Sequence, residues 1–264
     1  MPPLVSHMLA ARRAAEEAGL FGAASDDGGA SGGEAARAEE VGAFTLGATT
    51  PDIRVLTRWE RERTHFFDLS EEQHQDSVAA FLTAHPDLRD AAALRPQTRA
   101  WAGGFIAHLV MDETYIEEVY RPHFGHRSAL GGGRRANLLD RILQYEMDRQ
   151  ERESPEAMAA LRQSLYGSAV DVDCGFLDRA TLEEWRDVSA RLTEYAPDWE
   201  RFSTIASRHL EGAGVGSEDE YRAFLEQIPE LLEETLRSVG AATVEAFFEE
   251  SQQRTVTALR EYLG

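Results

Sequence analysis

The segment from Trp101 to His126, WAGGFIAHLVMDETYIEEVYRPHFGH, predicts a long helix around which the rest of the chain is organised. Pro96 fits the first turn of this helix, where the missing N–H of proline costs least, and Pro122 marks its expected end. Apolar residues recur in it near helical spacing, at Phe105, Ile106, Leu109, Ile116 and Val119. His108 and Asp112 are four positions apart, so their side chains share one helix face and can bind one cation together.

Two glycines, Gly103 and Gly104, lie inside this predicted helix. Glycine is a poor helix former, so its presence in a helix interior needs a reason. We expect another backbone, or a ligand, to approach the helix closely at these two positions.

The sequence on either side of this segment also has the pattern of helices. A first helix is predicted from Leu4 to Leu20, and the stretch DDGGASGGEAA at 26–36 is expected to be a mobile loop. A further helix begins at Pro51 and continues through Phe67. Later helix starts are predicted at Asn137, at Ser154, and at two capping boxes that pair Thr181 with Glu184 and Ser217 with Glu220.

These patterns predict the all-α fold class, because no stretch of useful length alternates in the manner of a strand. We expect a multi-helix bundle in a single domain over residues 1–264. In this prediction residues 1–150 form the metal-site half, and residues 151–264 supply C-terminal helices that complete the bundle.

Composition excludes several functional classes. The chain has 47 acidic residues against 27 basic ones, and its net charge of −20 opposes binding to nucleic acid or to an anionic membrane surface. Every basic residue is arginine, so a Walker-type phosphate lysine and a Schiff-base lysine are absent. A single cysteine, Cys174, rules out an intrachain disulfide and a thiolate metal cluster.

The first residues lack the continuous apolar stretch of a signal peptide, and no apolar run approaches the length of a membrane span. We therefore expect a cytoplasmic protein with no nucleic-acid partner and no stable membrane insertion.

Three histidines on separate predicted helices, His7, His65 and His108, lie at or next to apolar positions. Asp52 and Asp112 supply carboxylates in the same part of the chain. Imidazole and carboxylate ligands without thiolate suit zinc or another first-row divalent ion. Because helices of a bundle can bring ligands together in its core, these five side chains predict a metal site.

Other metal-hydrolase and di-iron patterns do not fit. The chain has no adjacent His-Asp pair and no HExxH motif. A di-iron bundle needs two Glu-x-x-His pairs, and only Glu71 with His74 has that spacing.

The order of these elements carries a resemblance to a known family. His7 in the first helix is followed by GATTPDI with Asp52, by THFFD with His65, and by AHLVMDE with His108 and Asp112. This series resembles the zinc-dependent phospholipase C family of all-helical bacterial enzymes, whose domain also occurs in glycosylphosphatidylinositol phospholipase D. The resemblance covers the first half of the chain and implies a bundle of the phospholipase C type with additional C-terminal helices.

The resemblance implies a ligand set for one to three divalent ions, zinc first. Asp52, His65, His108 and Asp112 match the family ligands of one zinc, and Asp112 would bridge to a second zinc that also takes His7. The family completes that second zinc with an N-terminal tryptophan, whereas this chain starts Met-Pro-Pro. A further family histidine and a later His-x-x-x-Glu pair have no match here. The substitutes we consider for these missing ligands are Glu118, His123, His126 and Glu146.

The implied activity is a metal-dependent hydrolase that cleaves a phosphoester or phosphodiester by metal-activated water. Asp52 would orient or deprotonate that water. An arginine such as Arg61, Arg121 or Arg127 would bind the phosphate. The substrate would be a small phosphoester or a phospholipid head group. The alternative is a helical protein of the same fold that has lost catalysis and binds a metal or a partner.

Overall fold

The structure is a computed structural model that describes residues 3–21, 30–69, 71, 73–167, 169–212 and 214–264. The described residues form helices and turns and contain no strand, which confirms the predicted all-α fold. Within the same residues, no helix combines the length and the apolar character that crossing a membrane requires.

The α-helices are α1 Leu4–Glu17, α2 Ala30–Gly47, α3 Arg54–Thr57, α4 Glu62–His65, α5 Ser77–Ala84, α6 Pro96–Tyr115, α7 Arg134–Glu151, α8 Pro155–Tyr166, α9 Arg179–Leu192, α10 Phe202–Gly212, α11 Glu218–Val239 and α12 Ala241–Leu263. Short 3-10 turns at Thr50–Ile53, Pro86–Leu88 and Ala91–Ala93 connect some of them, and a π-helical segment, Ile116–Phe124, continues from α6.

The chain divides into two compact units. The first unit contains Leu4–Glu113, Ser154–Tyr195 and Ser251–Gly264. The second unit contains Thr114–Glu153 and Ala196–Glu250. The predicted single domain with a division at residue 150 stays a prediction. All five side chains of the predicted metal site belong to the first unit.

Helix α6 lies at the centre of the first unit, where its side chains from Trp101 to Leu109 are buried. The glycines in the helices explain how closely α2 and α6 approach each other. A Cβ atom on Gly104 would lie 2.0 Å from the backbone oxygen of Phe44, and one on Gly47 would lie 2.0 Å from that of Trp101. Only glycine permits these contacts, so the expected backbone approach occurs at Gly104.

The expected end of the central helix at Pro122 is wrong. The α-helix ends at Tyr115, and the chain continues in a π-helical conformation through Pro122 to Phe124. Proline disrupts an α-helix because its ring clashes with the carbonyl one turn back and it offers no N–H. In a π turn the backbone N–H bonds to the carbonyl five residues back instead of four. Beyond the proline, Gly125 N donates to Tyr120 O in this way, at 2.8 Å.

The continuous helix predicted from Pro51 to Phe67 is also wrong. The segment consists of the 3-10 turn Thr50–Ile53 and the two short helices α3 and α4. Arg58 and Phe66 adopt left-handed backbone angles, with φ of 59° and 54°, and these angles end α3 and α4. A left-handed residue cannot continue a right-handed helix.

Other sequence predictions had mixed outcomes. The loop predicted at 26–36 falls partly on residues 22–29, which lie outside the described residues, and α2 already begins at Ala30. The capping box of Ser217 with Glu220 is confirmed. The one proposed for Thr181 is wrong, because the carboxylate of Asp178 caps α9 by accepting from Thr181 N at 2.8 Å.

Candidate metal centre

The first unit brings the five predicted ligands together. His7 is on α1, Asp52 is in the 3-10 turn Thr50–Ile53, His65 ends α4, and His108 and Asp112 are on α6. The three histidines are each 1% exposed and Asp112 is 3% exposed. The side chain of Asp52 is 24% exposed, so it is the ligand through which solvent reaches the cluster.

The imidazoles face the carboxylates at nearly equal distances. His7 Nε2 lies 3.3 Å from Asp112 Oδ1. His65 Nε2 lies 3.4 Å from Asp52 Oδ1 and 3.5 Å from Asp112 Oδ2. His108 Nε2 lies 3.7 Å from Asp112 Oδ2. One oxygen of Asp112 therefore faces His7, and the other faces His65 and His108.

These separations match those between the ligands of one ion. Two ligand atoms that are each about 2.1 Å from zinc, at tetrahedral angles, lie about 3.4 Å apart. Among the five predicted ligands, two sets of three side chains each offer ligand atoms that lie within 4.8 Å of one another. The sets are His7, His108 and Asp112, and Asp52, His65 and His108. The buried histidines and aspartates can therefore hold a metal ion.

Hydrogen bonds at Nδ1, the ring nitrogen farther from the carboxylates, orient the imidazoles of His65 and His108. His108 Nδ1 lies 2.8 Å from the carbonyl oxygen of Ala48, so Nδ1 carries the proton. The Thr64 hydroxyl donates to the carbonyl of Arg61 and accepts from His65 Nδ1 at 2.9 Å. In the neutral rings of His65 and His108, Nε2 therefore directs its lone pair toward the carboxylates, as in metal-binding histidines.

The inner atoms of this cluster have no hydrogen-bond partner among the described residues. They are Nε2 of His7, His65 and His108, and Oδ1 of Asp112. A buried polar atom left without a partner costs about 1–3 kcal/mol. A lone pair that faces a carboxylate oxygen is repelled unless a proton or a cation lies between them. Divalent ions among these four atoms would satisfy them, so the donor set fits a metal.

The pKa values within the cluster are shifted by burial and by neighbouring charges. Burial, followed by the charge of His108, lowers the pKa of His7 to about 4, and burial lowers the pKa of His65. Burial also acts to lower the pKa of His108, but the Asp112 carboxylate outweighs it and raises that pKa. The imidazoles outweigh burial at both carboxylates and lower the pKa of Asp52 and Asp112. Both aspartates are therefore ionised at neutral pH.

Arg61 adds a positive charge to the edge of the cluster. Its guanidinium Nη2 lies 3.3 Å from Asp112 Oδ2, and its Nη1 donates to the carbonyl of Phe67 at 3.1 Å. The side chain is only 11% exposed. Of the three arginines considered from the sequence, Arg61 is thus in direct contact with a predicted metal ligand.

Buried polar contacts fix the turn that carries Asp52. Trp101 Nε1 donates to the hydroxyl of Thr50 at 3.0 Å, and Trp185 Nε1 donates to that of Thr49 at 3.0 Å. Both threonine hydroxyls donate onward to the carbonyl of Leu46 at 2.8 Å. Two tryptophans therefore hold the short turn in place. Sequence reasoning missed them because they are distant in the chain.

The left-handed conformation of Phe66 fixes the end of the helix that carries His65. A bulky residue rarely adopts a positive φ, and the strain needs support from packing. The ring of Phe66 packs against Phe81 and Phe105, with centroids 5.5 Å and 6.4 Å away. This packing holds the strained residue next to His65.

The four substitute ligands are not brought into such a cluster. Among the described residues, Glu118, His123, His126 and Glu146 belong to no set of three metal-binding side chains. His123 Nδ1 lies 3.1 Å from the carbonyl of Ser238. Glu146 accepts hydrogen bonds from Arg149 and Gln150. Glu118 and His126 are exposed.

His7 differs from the other two histidines, because neither of its ring nitrogens has a hydrogen bond among the described residues. Its ring is held instead by stacking on His108, with centroids 3.7 Å apart. An outer hydrogen-bond partner of a metal-bound histidine is worth about 10–100-fold in metal affinity. A metal ion that uses His7 should therefore bind more weakly than one held by His65 and His108.

This asymmetry predicts two metal-binding steps. Zinc titration followed by calorimetry should show a tight step and a step about 10–100-fold weaker. His7→Ala should remove the weak step and leave the tight one. His126→Ala, which removes an exposed histidine, should leave both. Loss of the tight step in His7→Ala alone would contradict the predicted order.

The chemistry of this site is inferred from the geometry above and from the order of the five residues along the chain. The resemblance to the zinc-dependent phospholipase C family depends on the same five residues. The chain matches no protein-family model, and no curated protein and no solved structure matches it at a significant level.

Proposed function

We propose that the protein is a metal-dependent hydrolase that cleaves a phosphoester or phosphodiester. The observation that supports this most is the convergence of His65 Nε2 and His108 Nε2, both buried without hydrogen bonds, on the carboxylates of Asp52 and Asp112. These four side chains would hold one divalent ion. When bound, such an ion lowers the pKa of a water molecule toward neutrality and neutralises charge on phosphoryl oxygens.

Asp52 is suited to act on the attacking water. It is the most exposed member of the cluster, at 24% of its side chain, and its pKa is low because the imidazole of His65 outweighs the effect of burial. An ionised carboxylate at the solvent side can accept a hydrogen bond from water and orient it. We assign that role to Asp52, in addition to its contact with the metal.

Charge balance favours an anionic substrate. The cluster contains two ionised carboxylates, and Arg61 already offsets one of them through its contact with Asp112. A divalent ion together with neutral imidazoles therefore leaves the site with a net positive charge. A phosphoester would compensate that charge, and the guanidinium of Arg61 can donate to phosphoryl oxygens.

The rival function is a metal-binding or partner-binding protein without catalysis. The deep burial of four of the five ligands favours it, because a buried metal that solvent reaches poorly is typical of structural sites. The two functions agree on metal binding and differ on hydrolysis.

Hydrolysis of bis(p-nitrophenyl) phosphate tests the proposal. We expect the zinc- or manganese-loaded protein to release p-nitrophenol, and chelator or Asp52→Asn to abolish the release. Asp87→Asn, an exposed carboxylate in the first unit, is the matched control and should retain activity. Metal binding without hydrolysis of this ester or of p-nitrophenyl phosphate, with any of zinc, manganese, iron or nickel, would refute catalysis and favour the rival function.

A further inference from the structure

The second unit contains a polar cavity that shares no residue with the metal centre. Its volume is about 380 Å³, which falls within the range of small-molecule pockets. Helices α7 and α10 supply its walls. The lining residues are Arg134, Asn137, Arg208, His209, Glu211 and Gly212.

The two arginines of this cavity are not neutralised by ion pairs among the described residues. Arg134 Nη1 donates to the carbonyl of Gly212 at 3.4 Å, which holds its guanidinium at the cavity wall. Arg208 makes no ion pair within the described part of the chain. Two other arginines of the same unit do form ion pairs, since Arg135 pairs with Glu234 and Arg237 pairs with Glu233.

Acidic residues outnumber basic ones by 47 to 27, and a carboxylate is the common protein partner of a guanidinium. Arg134 and Arg208 are both exposed to solvent and belong to no ion pair of the described residues. Glu211 also lines the cavity, but it lies within ion-pair distance of neither Arg134 nor Arg208 in the described structure. Two guanidinium groups without an ion pair therefore line one cavity, and an anion bound there would contact both.

Neutral donors on α7 add to this charge. The amide of Asn137 accepts a hydrogen bond from the Tyr120 hydroxyl through Oδ1, at 3.1 Å, which leaves its NH₂ group to donate into the cavity. The N-cap of α7, Gly133, offers no side chain to bond the first backbone N–H groups. These N–H groups and the positive end of an 18-residue helix favour an anion beside Arg134.

His209 also lines the cavity. Burial lowers its pKa, and the nearby charges of Arg141 and Arg208 lower it further, while Asp140 acts in the opposite direction. A bound anion would oppose these effects and favour the protonated ring. His209 therefore provides a local reporter of occupancy.

We propose that this cavity binds the phosphate group of a small organic phosphate, through Arg134, Arg208, His209 and the amide of Asn137. Arginine pairs and helix N-termini are the usual partners of phosphate oxygens. The cavity is larger than a bare phosphate, so it has room for the organic group of a phosphate ester.

The test is equilibrium binding to the full-length protein in the presence of EDTA, so that no metal centre contributes. Inorganic phosphate and glycerol 3-phosphate are titrated by calorimetry, and the His209 ring is followed by NMR. We expect saturable binding of both anions, with glycerol 3-phosphate binding at least as tightly. The His209 resonances should shift with the same dissociation constant, and the pKa of His209 should rise.

Two charge-matched double variants separate a built site from general electrostatics. Arg134→Gln with Arg208→Gln should weaken phosphate binding by at least about tenfold, because each guanidinium makes charge-assisted hydrogen bonds. Arg135→Gln with Arg237→Gln changes the net charge equally and should weaken binding by less than about threefold. Equal losses in the two double variants would overturn the proposal.

Two further outcomes would overturn it. One is the absence of saturable binding with a Kd of about 1 mM or tighter. The other is phosphate binding to the unmodified protein that leaves the His209 resonances unchanged. This second outcome needs no variant, so it holds even if a double variant fails to fold. The result is independent of the proposed hydrolase activity, because the measurement is made without metal.

Discussion

Asp112→Asn should weaken divalent-metal binding by more than about 100-fold. Loss of an outer hydrogen-bond partner of a metal ligand costs about 10–100-fold, and this substitution removes a charged ligand itself. Asp112 also contacts more of the cluster than any other side chain does, since its two oxygens lie 3.3–3.7 Å from three imidazoles and from the Arg61 guanidinium. An amide at this position offers one neutral oxygen and no charge, so both proposed metal positions lose affinity.

The matched control for this variant is Asp140→Asn. Asp140 is equally buried, at 3% exposed, and it accepts hydrogen bonds from Tyr115 and Gln144 instead of facing histidines. Its substitution should leave metal affinity unchanged. Zinc affinity is measured by competition with a chromophoric chelator, and circular dichroism shows whether each variant is folded. Equal metal affinity of Asp112→Asn and the unmodified protein would contradict the role of Asp112.

The metal-free protein should lose stability as the pH falls from 7 to 5, and His7 should cause much of the loss. The pKa of His7 is about 4 in the folded protein, mainly because of burial, against 6.5 when unfolded. The unfolded chain therefore binds a proton in this range that the folded chain does not. The stability that the neutral ring contributes is present above pH 6.5 and decreases as the pH falls toward 4, by about 2 kcal/mol between pH 7 and 5.

The other groups of the cluster modify this dependence in known directions. His65 also has a lowered pKa, so it acts in the same direction as His7. His108 has a raised pKa, so its contribution is present at low pH and is lost as the pH rises through that value. Asp52 and Asp112 have lowered pKa values and stay ionised between pH 7 and 5.

Urea unfolding with EDTA at pH 7 and pH 5 measures this effect. His7→Leu should reduce the stability lost between the two pH values by about 2 kcal/mol. His126→Leu, which replaces an exposed ring, should not reduce it. A pH dependence that is the same in His7→Leu and in the unmodified protein would show that His7 is not buried as a neutral ring.

The sequence predicted those features that depend on local pattern. Helical spacing of apolar residues was sufficient for the all-α fold, and the Ser217 capping box was readable because its two partners are three residues apart. The pairing of His108 with Asp112 follows from helix geometry alone. Glycine at position 104 also carried usable information, because its absence of a side chain anticipated the contact with Phe44.

Features that depend on tertiary contacts were not predictable. The left-handed turn at Phe66 is supported by rings from α5 and α6, so the local sequence still looked like a continuous helix. The carbonyl of Ala48 that orients His108 is 60 positions away, and a backbone oxygen has no signature in a sequence. Thr64 was the exception, since a hydroxyl directly before His65 could have suggested its hydrogen bond.

The choice of Arg61 over Arg121 and Arg127 needed the structure for the same reason. All three arginines lie near predicted ligands along the chain, and only the fold shows that Arg61 contacts Asp112 across 51 positions. The cavity of the second unit gave no sequence signal at all, because Arg134 and Arg208 are on different helices and belong to no motif.

The central claim is that five side chains, four of them buried, hold a divalent metal ion. Elemental analysis of the protein, purified without a histidine tag and dialysed against zinc, manganese, iron or nickel, tests this claim most directly. We predict at least one equivalent of a divalent ion per chain, lost on treatment with chelator and not retained by the Asp112→Asn variant. A folded, unmodified protein that retains none of these metals would contradict it.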